Sequence, residues 1–271
     1  MRRKCRTIVA FFVAAALGVM CCGCEKRGDS LKDTELPKLI IGSDNYSPFN
    51  YEDSAGEPTG IDVELAKEAF HRMGYEAVFK NINWEEKKEL LENGEIDCIW
   101  GSFSIDGRED LYRWTDPYMV SRQVIAVNVD SDIYTFADLE KKKIAVQSTT
   151  KPEELFVSHA DARIPELGEL FSLQNCELLY PFLSKGYVDA IAAHETAILQ
   201  SVKDYGQEYR ILSEPLLTVG LGVAFSRYDD RGLEQELSSV FVQMREDGTL
   251  EKIIGRYLEH PETYLWDDAY D

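Results

Sequence analysis

Arg108 is the side chain in this sequence best suited to bind a small anion. It comes seven residues after Gly101, which follows a short apolar segment at residues 96–100 and precedes Ser102. Small residues after a strand let a ligand approach the backbone, and the planar guanidinium donates in a fork that fits a carboxylate. The segment therefore predicts half of a small-anion site. The alternative is a structural arginine that pairs with an acid close by in sequence, namely Asp106, Glu109 or Asp110.

The elements that precede Arg108 alternate between strand and helix. Apolar runs predict strands at residues 39–42, 77–81 and 96–100, and helical periodicity predicts helices at residues 61–73 and 84–92. Such a β-α-β-α-β order predicts a parallel sheet with helical crossovers.

The same alternation is repeated later in the chain. It comprises predicted strands at 124–128, 143–147, 169–173 and 188–192, with helices from 152, at 176–185 and at 194–202. A strand at 221–225 follows, and then helices at 232–246 and 250–259. This pattern predicts an α/β fold of two lobes joined by two crossing segments. Because ligands in open α/β sheets bind at the carboxyl ends of strands, we expect both sets of strand ends to face one cleft.

Polar and aromatic residues follow several of these strands. Asp44 and Tyr46 follow the first strand, Trp84 follows the second, and His194 and Glu195 follow the strand at 188–192. An arginine in one lobe and an acid in the other would match the two charges of a zwitterion, and aromatic rings would cover its apolar part. Three simpler readings stay open: Asp44 as a turn cap, Trp84 as a core residue and Glu195 as an ordinary acid at a helix start.

The N-terminus has the pattern of a secretion signal. Basic residues precede an apolar run at 8–20, which is short for a membrane span and ends in Cys21-Cys22-Gly23-Cys24. This pattern resembles a bacterial lipoprotein signal, which would make Cys24 a lipidated N-terminus that tethers the protein outside the cytoplasmic membrane. We favour Cys24 because only it follows a glycine; Cys21 and Cys22 remain alternatives, as does an ordinary cleaved signal or a membrane anchor.

Composition restricts the possible partners. The formal charge is −20, and loss of the four basic residues of the signal takes it to −24, which argues against nucleic acid and anionic lipid. Outside the signal, Cys98 and Cys176 are expected to be buried thiols rather than a disulfide. No spacing resembles a metal site, and we predict no cofactor.

Seven short motifs recur in an order that is typical of one family. They are Gly42-Ser-Asp-Asn-Tyr-Ser-Pro-Phe, Gly60-Ile-Asp-Val-Glu-Leu-Ala, Asn93-Gly-Glu-Ile-Asp, Gly101 with Arg108, Asp116-Pro-Tyr, Gly186-Tyr-Val-Asp-Ala-Ile and Arg245-Glu-Asp-Gly-Thr. Over residues 39–257 the chain resembles bacterial extracytoplasmic solute-binding proteins for polar amino acids, the receptors of ATP-driven (ABC) importers. The resemblance implies a periplasmic-binding-protein-like fold of type II. We place the signal at 1–23, a charged tether at 24–37, lobe 1 at 38–124 and 221–260, lobe 2 at 125–220 and a C-terminal tail at 261–271.

The resemblance also implies roles for individual residues. Arg108 would grip the ligand α-carboxylate, and Glu195 falls where the family usually has an aspartate for the α-ammonium. The other expected ligand contacts are Asp44, Tyr46, Trp84, Gly101, Ser102, Phe103, Gln147, Thr149, Thr150 and His194. Phe103 departs from the family, which commonly has a small hydroxyl residue there, so that Ser102 or Ser104 would compensate.

The function implied by the resemblance is binding without catalysis. A monomer would close its lobes on an amino acid and present it to a membrane permease. A ligand-sensing module for a separate signalling partner is the first alternative. A dehydratase-like enzyme that uses His194 and Glu195 as an acid–base pair is the second, although adjacent residues at a helix start point in different directions.

Overall fold

The computed structural model of the protein describes residues 35–266. The predicted signal peptide, the predicted lipidation site Cys24, most of the tether and the last five residues of the predicted tail lie outside the described residues. Within residues 35–266, no helix has the length and apolar character needed to cross a membrane.

Short strands and helices alternate along the described chain. The strands are β1 Lys38–Ser43, β2 Tyr51–Glu52, β3 Pro58–Thr59, β4 Glu76–Asn81, β5 Cys98–Ile99, β6 Arg113–Trp114, β7 Met119–Asn128, β8 Lys143–Gln147, β9 Glu169–Leu173, β10 Ala190–His194, β11 Tyr209–Ile211, β12 Leu217–Leu221 and β13 Ala224–Phe225. The α-helices are α1 Ile61–Arg72, α2 Lys87–Glu92, α3 Lys151–Ser158, α4 Leu179–Ser184, α5 Glu195–Tyr205, α6 Leu233–Glu246 and α7 Thr249–Ile254. One-turn 3-10 helices lie at Trp84–Glu86, Phe136–Leu139, Cys176–Leu178 and Pro261–Tyr264.

The first lobe is built on a sheet with the strand order β4-β1-β5-β13-β6. Strand β1 pairs in parallel with β4 and β5, while β13 runs antiparallel to β5 and β6. Helix α1, which packs against this sheet and helices α6 and α7, buries Ile61, Leu65 and Ala69, three apolar residues at helical spacing. The parallel sheet with helical crossovers is therefore present as predicted.

The second lobe has its own sheet, with the order β11-β7-β10-β8-β9 and β12 beside β7. Strands β10, β8 and β9 are parallel, and β7 is antiparallel to its neighbours. The predicted two-lobed α/β fold is confirmed. Both sheets end their parallel strands at the region between the lobes, where the candidate site lies.

Two neighbouring strands connect the lobes. Residues 119–123 of β7 pair with residues 217–221 of β12, so the outgoing and the returning chain lie side by side. The predicted lobe boundary between residues 124 and 125 falls inside β7. The reason is that the strand begins five residues earlier than its apolar core suggests, with the polar residues Ser121, Arg122 and Gln123 included.

Two element boundaries differ from the predictions in ways that matter for the site. The strand predicted at 188–192 runs instead from Ala190 to His194, and α5 begins at Glu195. The predicted helix at 84–92 starts as a 3-10 turn, in which the Asn83 side chain accepts a hydrogen bond from Glu85 N. At the other end, part of the predicted tail forms a 3-10 turn that packs Tyr264 against the core.

Candidate functional site

A cavity lies between the two lobes, with an empty volume of about 440 Å³ that includes some open solvent. Its walls come from the loops after β1, β5 and β8 and from the end of β10. Most of the residues predicted to contact a ligand line it. They are Asp44, Tyr46, Trp84, Gly101, Ser102, Phe103, Arg108, Gln147, Thr149, Thr150 and His194.

Arg108 is buried at the edge of this cavity, with 9% of its surface exposed. One of its guanidinium nitrogens donates to Ser104 O at 3.3 Å, and the guanidinium carbon lies 5.3 Å from the centroid of the Phe103 ring. The carboxylate nearest to it, at 3.5 Å, belongs to Glu154 of the second lobe. Within the described residues, none of the acids close by in sequence comes within 4 Å of it, so a purely local structural role does not account for its position.

The loop that carries Arg108 is fixed from two sides. Ser102 has a positive φ of 44°, and its backbone N–H donates to the buried carboxylate of Asp62 at 2.7 Å. Gly101 lies so close to Ser43 that a Cβ at position 101 would be 2.6 Å from the Ser43 hydroxyl oxygen, which explains the glycine.

The same loop is also attached to the connection between the lobes. Ile105 N donates to Gly220 O at 3.0 Å, and Gly222 N donates to Phe103 O at 3.0 Å. These bonds form a short ladder with the strand that returns to the first lobe. Arg108 is therefore held at the point where the lobes meet.

Phe103, the departure from the family pattern, is buried in an aromatic cluster. Its ring packs edge-on against Trp84, with the centroids 5.2 Å apart, and lies 4.9 Å from the Trp114 ring. Ser102 and Ser104, the predicted substitutes for the missing hydroxyl, both line the cavity. Trp84, which packs on Phe103, belongs to the same buried cluster and also lines the cavity, so it is both a core residue and part of the cavity wall.

Asp44 joins the two lobes directly. Gln147 Nε2 donates to Asp44 Oδ2 at 2.6 Å. Burial raises the pKa of the Asp44 carboxyl to about 6, and the hydrogen bond from Gln147 opposes this rise. Asp44 is the acidic residue among those that line the cavity. It is therefore the carboxylate available to balance a cationic group of a ligand.

Lys87, which was not predicted from the sequence, is a buried residue beside the cavity. Its ammonium donates to Trp84 O at 3.0 Å and to Thr149 Oγ1, across the lobes, at 2.7 Å. It also lies 4.7 Å from the centroid of the Trp84 ring. Burial lowers the pKa of Lys87 to about 7, and the positive charge of Arg108 acts in the same direction.

Glu195, predicted as the acid for a ligand ammonium, does not line the cavity. It is the first residue of α5, and its carboxylate pairs with Arg122 at 3.1 Å. This pair borders a separate depression beside Thr218 and Tyr264. Because the preceding strand ends at His194, the imidazole rather than the carboxylate faces the cavity.

His194 is buried in the cavity wall. Its Nδ1 is 2.8 Å from Ser121 Oγ, and its Nε2 is 2.8 Å from Gln123 Nε2. Its ring contacts Tyr46 edge-on at 5.7 Å between centroids. Burial lowers the pKa of His194 to about 3, so the ring is neutral at physiological pH.

Several other cavity residues were not predicted. They are Gln123, Pro152, Leu179, Ala192 and Ala193. Gln123 directly precedes the apolar run 124–127, a position that does not by itself mark a cavity residue. Lys151 and Pro152 open α3 directly after the predicted loop. The two cysteines, Cys98 and Cys176, are free and buried, as predicted.

Comparisons with known proteins identify the family and agree with the fold. Residues 39–260 match the profile of the bacterial extracellular solute-binding proteins, family 3. The histidine-binding periplasmic protein of Salmonella typhimurium is 31% identical over 235 residues, covering 82% of this chain and 88% of the relative.

Two solved structures share the fold. An ancestral arginine-binding protein bound to arginine superposes with a TM-score of 0.74 at 25% identity, over 82% of this chain and 98% of the other. An ancestral amino-acid-binding protein described as a precursor of cyclohexadienyl dehydratase gives the same TM-score and identity, with 82% and 96% covered.

Proposed function

Because the chain belongs to family 3 of the bacterial extracellular solute-binding proteins, we propose that it binds a free amino acid between its lobes and delivers it to an ABC importer. The observation that carries the proposal is the buried guanidinium of Arg108 at a cavity lined by both lobes. The protein carboxylate nearest to Arg108 belongs to the partly exposed Glu154, 3.5 Å away. The guanidinium is therefore well placed to bind the carboxylate of a ligand with two parallel hydrogen bonds. The histidine and arginine that relatives bind support the amino-acid class.

Lobe closure supplies the mechanism. The conformation described here already joins the lobes through Asp44 and Gln147 and through Lys87 and Thr149. A ligand that contacts both lobes binds this closed form better than an open one, and therefore shifts the population towards it. The closed form would then be the one that a permease recognises.

Calorimetry with free L-amino acids, beginning with histidine, arginine and cystine, tests the proposal. The wild-type chain is expected to bind at least one of them, and Arg108→Ala is expected to abolish that binding while circular dichroism stays unchanged. Arg227→Ala, which removes an exposed arginine away from the cavity, is the matched control. Unchanged affinity in Arg108→Ala would remove Arg108 from the site.

The membrane attachment is a separate part of the proposal. We propose that Cys24 is lipidated and holds the binding domain outside the cytoplasmic membrane as a monomer. Labelling of cells with a radioactive fatty acid is expected to mark the wild-type protein and not Cys24→Ser. Retained label with Cys24→Ser and its loss with Cys21→Ser or Cys22→Ser would move the site to one of those cysteines.

Binding is favoured over the two alternatives. The predicted acid–base pair is not assembled, because His194 lies in the cavity wall while Glu195 pairs with Arg122 outside it. Copurification from membranes decides between the others: a permease supports transport, whereas a signalling enzyme supports sensing.

A further inference from the structure

Among the described residues that line the cavity, none from the second lobe carries a carboxylate. The acid among the lining residues is Asp44, which belongs to the first lobe, and Glu195 is turned away towards Arg122. At the position where an acid was expected, the cavity wall presents the imidazole of His194 and the amide of Gln123. These two neutral groups therefore determine what the second lobe can recognise.

His194 and Gln123 are coupled to each other and to Ser121. All three are buried, with 5%, 2% and 2% of their surfaces exposed, respectively. Gln123 Nε2 lies 2.8 Å from Nε2 of the imidazole and 3.3 Å from Nδ1, while Ser121 Oγ lies 2.8 Å from Nδ1. The three side chains come from the paired strands β7 and β10, which fix their spacing.

The chemistry of these groups sets the direction of the bonds. A neutral imidazole carries one N–H and one acceptor nitrogen, whereas an amide NH2 only donates. With the amide placed as it is, the nearer imidazole nitrogen, Nε2, accepts from Gln123 Nε2, which puts the proton on Nδ1. This arrangement orients the amide of Gln123 and directs its carbonyl away from His194.

The carbonyl oxygen of Gln123 is left without a partner. Within the described residues, Oε1 is a buried atom with no hydrogen-bond donor in reach. Buried acceptors are almost always satisfied, because an unpaired one retains the cost of its lost hydration. Since Gln123 lines the cavity, a ligand is in a position to supply the missing donor.

We propose that Gln123 Oε1 accepts a hydrogen bond from the α-ammonium of the ligand, and that His194 and Ser121 act as positioning residues that hold the amide in this orientation. The proposal rests on the amino-acid binding proposed above and adds how the second lobe recognises the amine. The ammonium is thus held by a neutral carbonyl of the second lobe, while Asp44 of the first lobe balances its charge.

The tautomer of His194 tests the orientation without any ligand. The full chain has four histidines, so nitrogen-15 NMR of histidine-labelled protein can assign His194 by comparison with His194→Gln. We expect the neutral tautomer with the proton on Nδ1 between pH 5 and 8. A proton on Nε2 would turn the amide over, place its NH2 group where the carbonyl now lies, and overturn the proposal.

Binding measurements test the contact itself. Calorimetry compares histidine, arginine and cystine with the corresponding carboxylic acids that lack the α-amino group. In Gln123→Met, the amino acid that binds the wild type is expected to bind about 10- to 100-fold more weakly, the range for a hydrogen bond to a charged group. The acid without the amino group is expected to bind Gln123→Met and wild type equally.

Gln235→Met, on the exposed face of α6, is the matched control and is expected to change neither affinity. An equal loss for both compounds in Gln123→Met indicates a structural role and overturns the contact, as does no loss at all. If Gln123→Met does not fold, Gln123→Glu keeps an acceptor and is expected to retain the preference for the amino acid; loss of that preference overturns the proposal.

If no L-amino acid binds the wild type, the amino-acid function fails, and the contact between Gln123 and an α-ammonium fails with it. If an amino acid binds the wild type but Gln123→Met does not weaken its binding selectively, the contact alone is overturned.

Discussion

Gln147 Nε2 of the second lobe donates to Asp44 Oδ2 of the first lobe at 2.6 Å. The two residues that follow Gln147 make similar contacts. Ser148 Oγ donates to Glu85 Oε1 at 2.6 Å, and Thr149 Oγ1 accepts from the buried ammonium of Lys87. Three consecutive residues thus join three side chains of the opposite lobe, and burial shifts the pKa values of two of these side chains, Asp44 and Lys87.

Asp44→Asn is expected to remove part of the acid dependence of stability. Burial raises the pKa of the Asp44 carboxyl from 3.8 to about 6, so the folded protein binds more protons than the unfolded chain between these values. Stability therefore falls as pH rises from about 4 to 6, by at most about 3 kcal/mol. Urea unfolding at several pH values is expected to show this fall in the wild type relative to Asp44→Asn.

The control for this series is Asp130→Asn, an exposed acid of the second lobe. The free energy of unfolding of Asp130→Asn is expected to change with pH in the same way as that of the wild type. Parallel curves for wild type and Asp44→Asn would show that Asp44 is not buried in the closed form.

Lys87→Met is expected to remove a rise of stability with pH, which is opposite in sign to the fall that Asp44 causes. Burial lowers the pKa of Lys87 from 10.5 to about 7, and Arg108 adds to this, although Asp44, Glu153 and Glu85 oppose it. The unfolded chain then binds more protons between about pH 7 and 10.5, so stability rises with pH through that window. The contribution of Lys87 to this rise is about 4 kcal/mol.

Denaturant unfolding between pH 7 and 10 measures how steeply the free energy of unfolding rises with pH. Lys88→Met, which removes a half-exposed neighbour paired with Glu92, is the matched control and is expected to keep the wild-type slope. If the unfolding free energy of Lys87→Met rose with pH as steeply as that of the wild type, titratable groups other than Lys87 would be responsible for the rise.

The fold was predictable from the sequence because it depends on patterns repeated over many residues. Apolar runs and helical periodicity predicted both sheets and the joining of the lobes by two segments, and small residues beside Arg108 predicted one wall of the cavity. A prediction of these features stays correct even when the end of a helix or strand is placed one or two residues away from its true position.

One position of the second-lobe wall could not be predicted, because it depends on where a single strand ends. Side chains alternate between the faces of a strand, so the strand end decides whether His194 or Glu195 faces the cavity. The acid was chosen for its chemistry, whereas β10 continues to the histidine. Lys87 and Gln123 were missed because only the tertiary structure buries them: a lysine three residues after Trp84 and a glutamine before an apolar run are ordinary in sequence.

Glu195→Gln is therefore expected to leave ligand affinity within about twofold of the wild type. Its carboxylate pairs with Arg122, which is 42% exposed, and such pairs contribute about 0.2–1 kcal/mol to stability. Calorimetry with the amino acid that binds the wild type makes the comparison, and urea unfolding checks the small stability change. A loss of more than tenfold in affinity would return Glu195 to the binding site.

Tyr118→Phe is expected to destabilise the first lobe by about 1–3 kcal/mol, because it leaves a buried carboxylate oxygen with one donor fewer. The Tyr118 hydroxyl donates to Asp62 Oδ1 at 2.8 Å, and burial raises the pKa of that carboxyl to about 7. The other oxygen of Asp62 holds Ser102 N, so ligand affinity is expected to fall as well. Urea unfolding and calorimetry measure the two effects, and Tyr228→Phe, 78% exposed, is the control. Equal stability of both variants would mean that Asp62 does not depend on Tyr118 to hold the loop before Arg108.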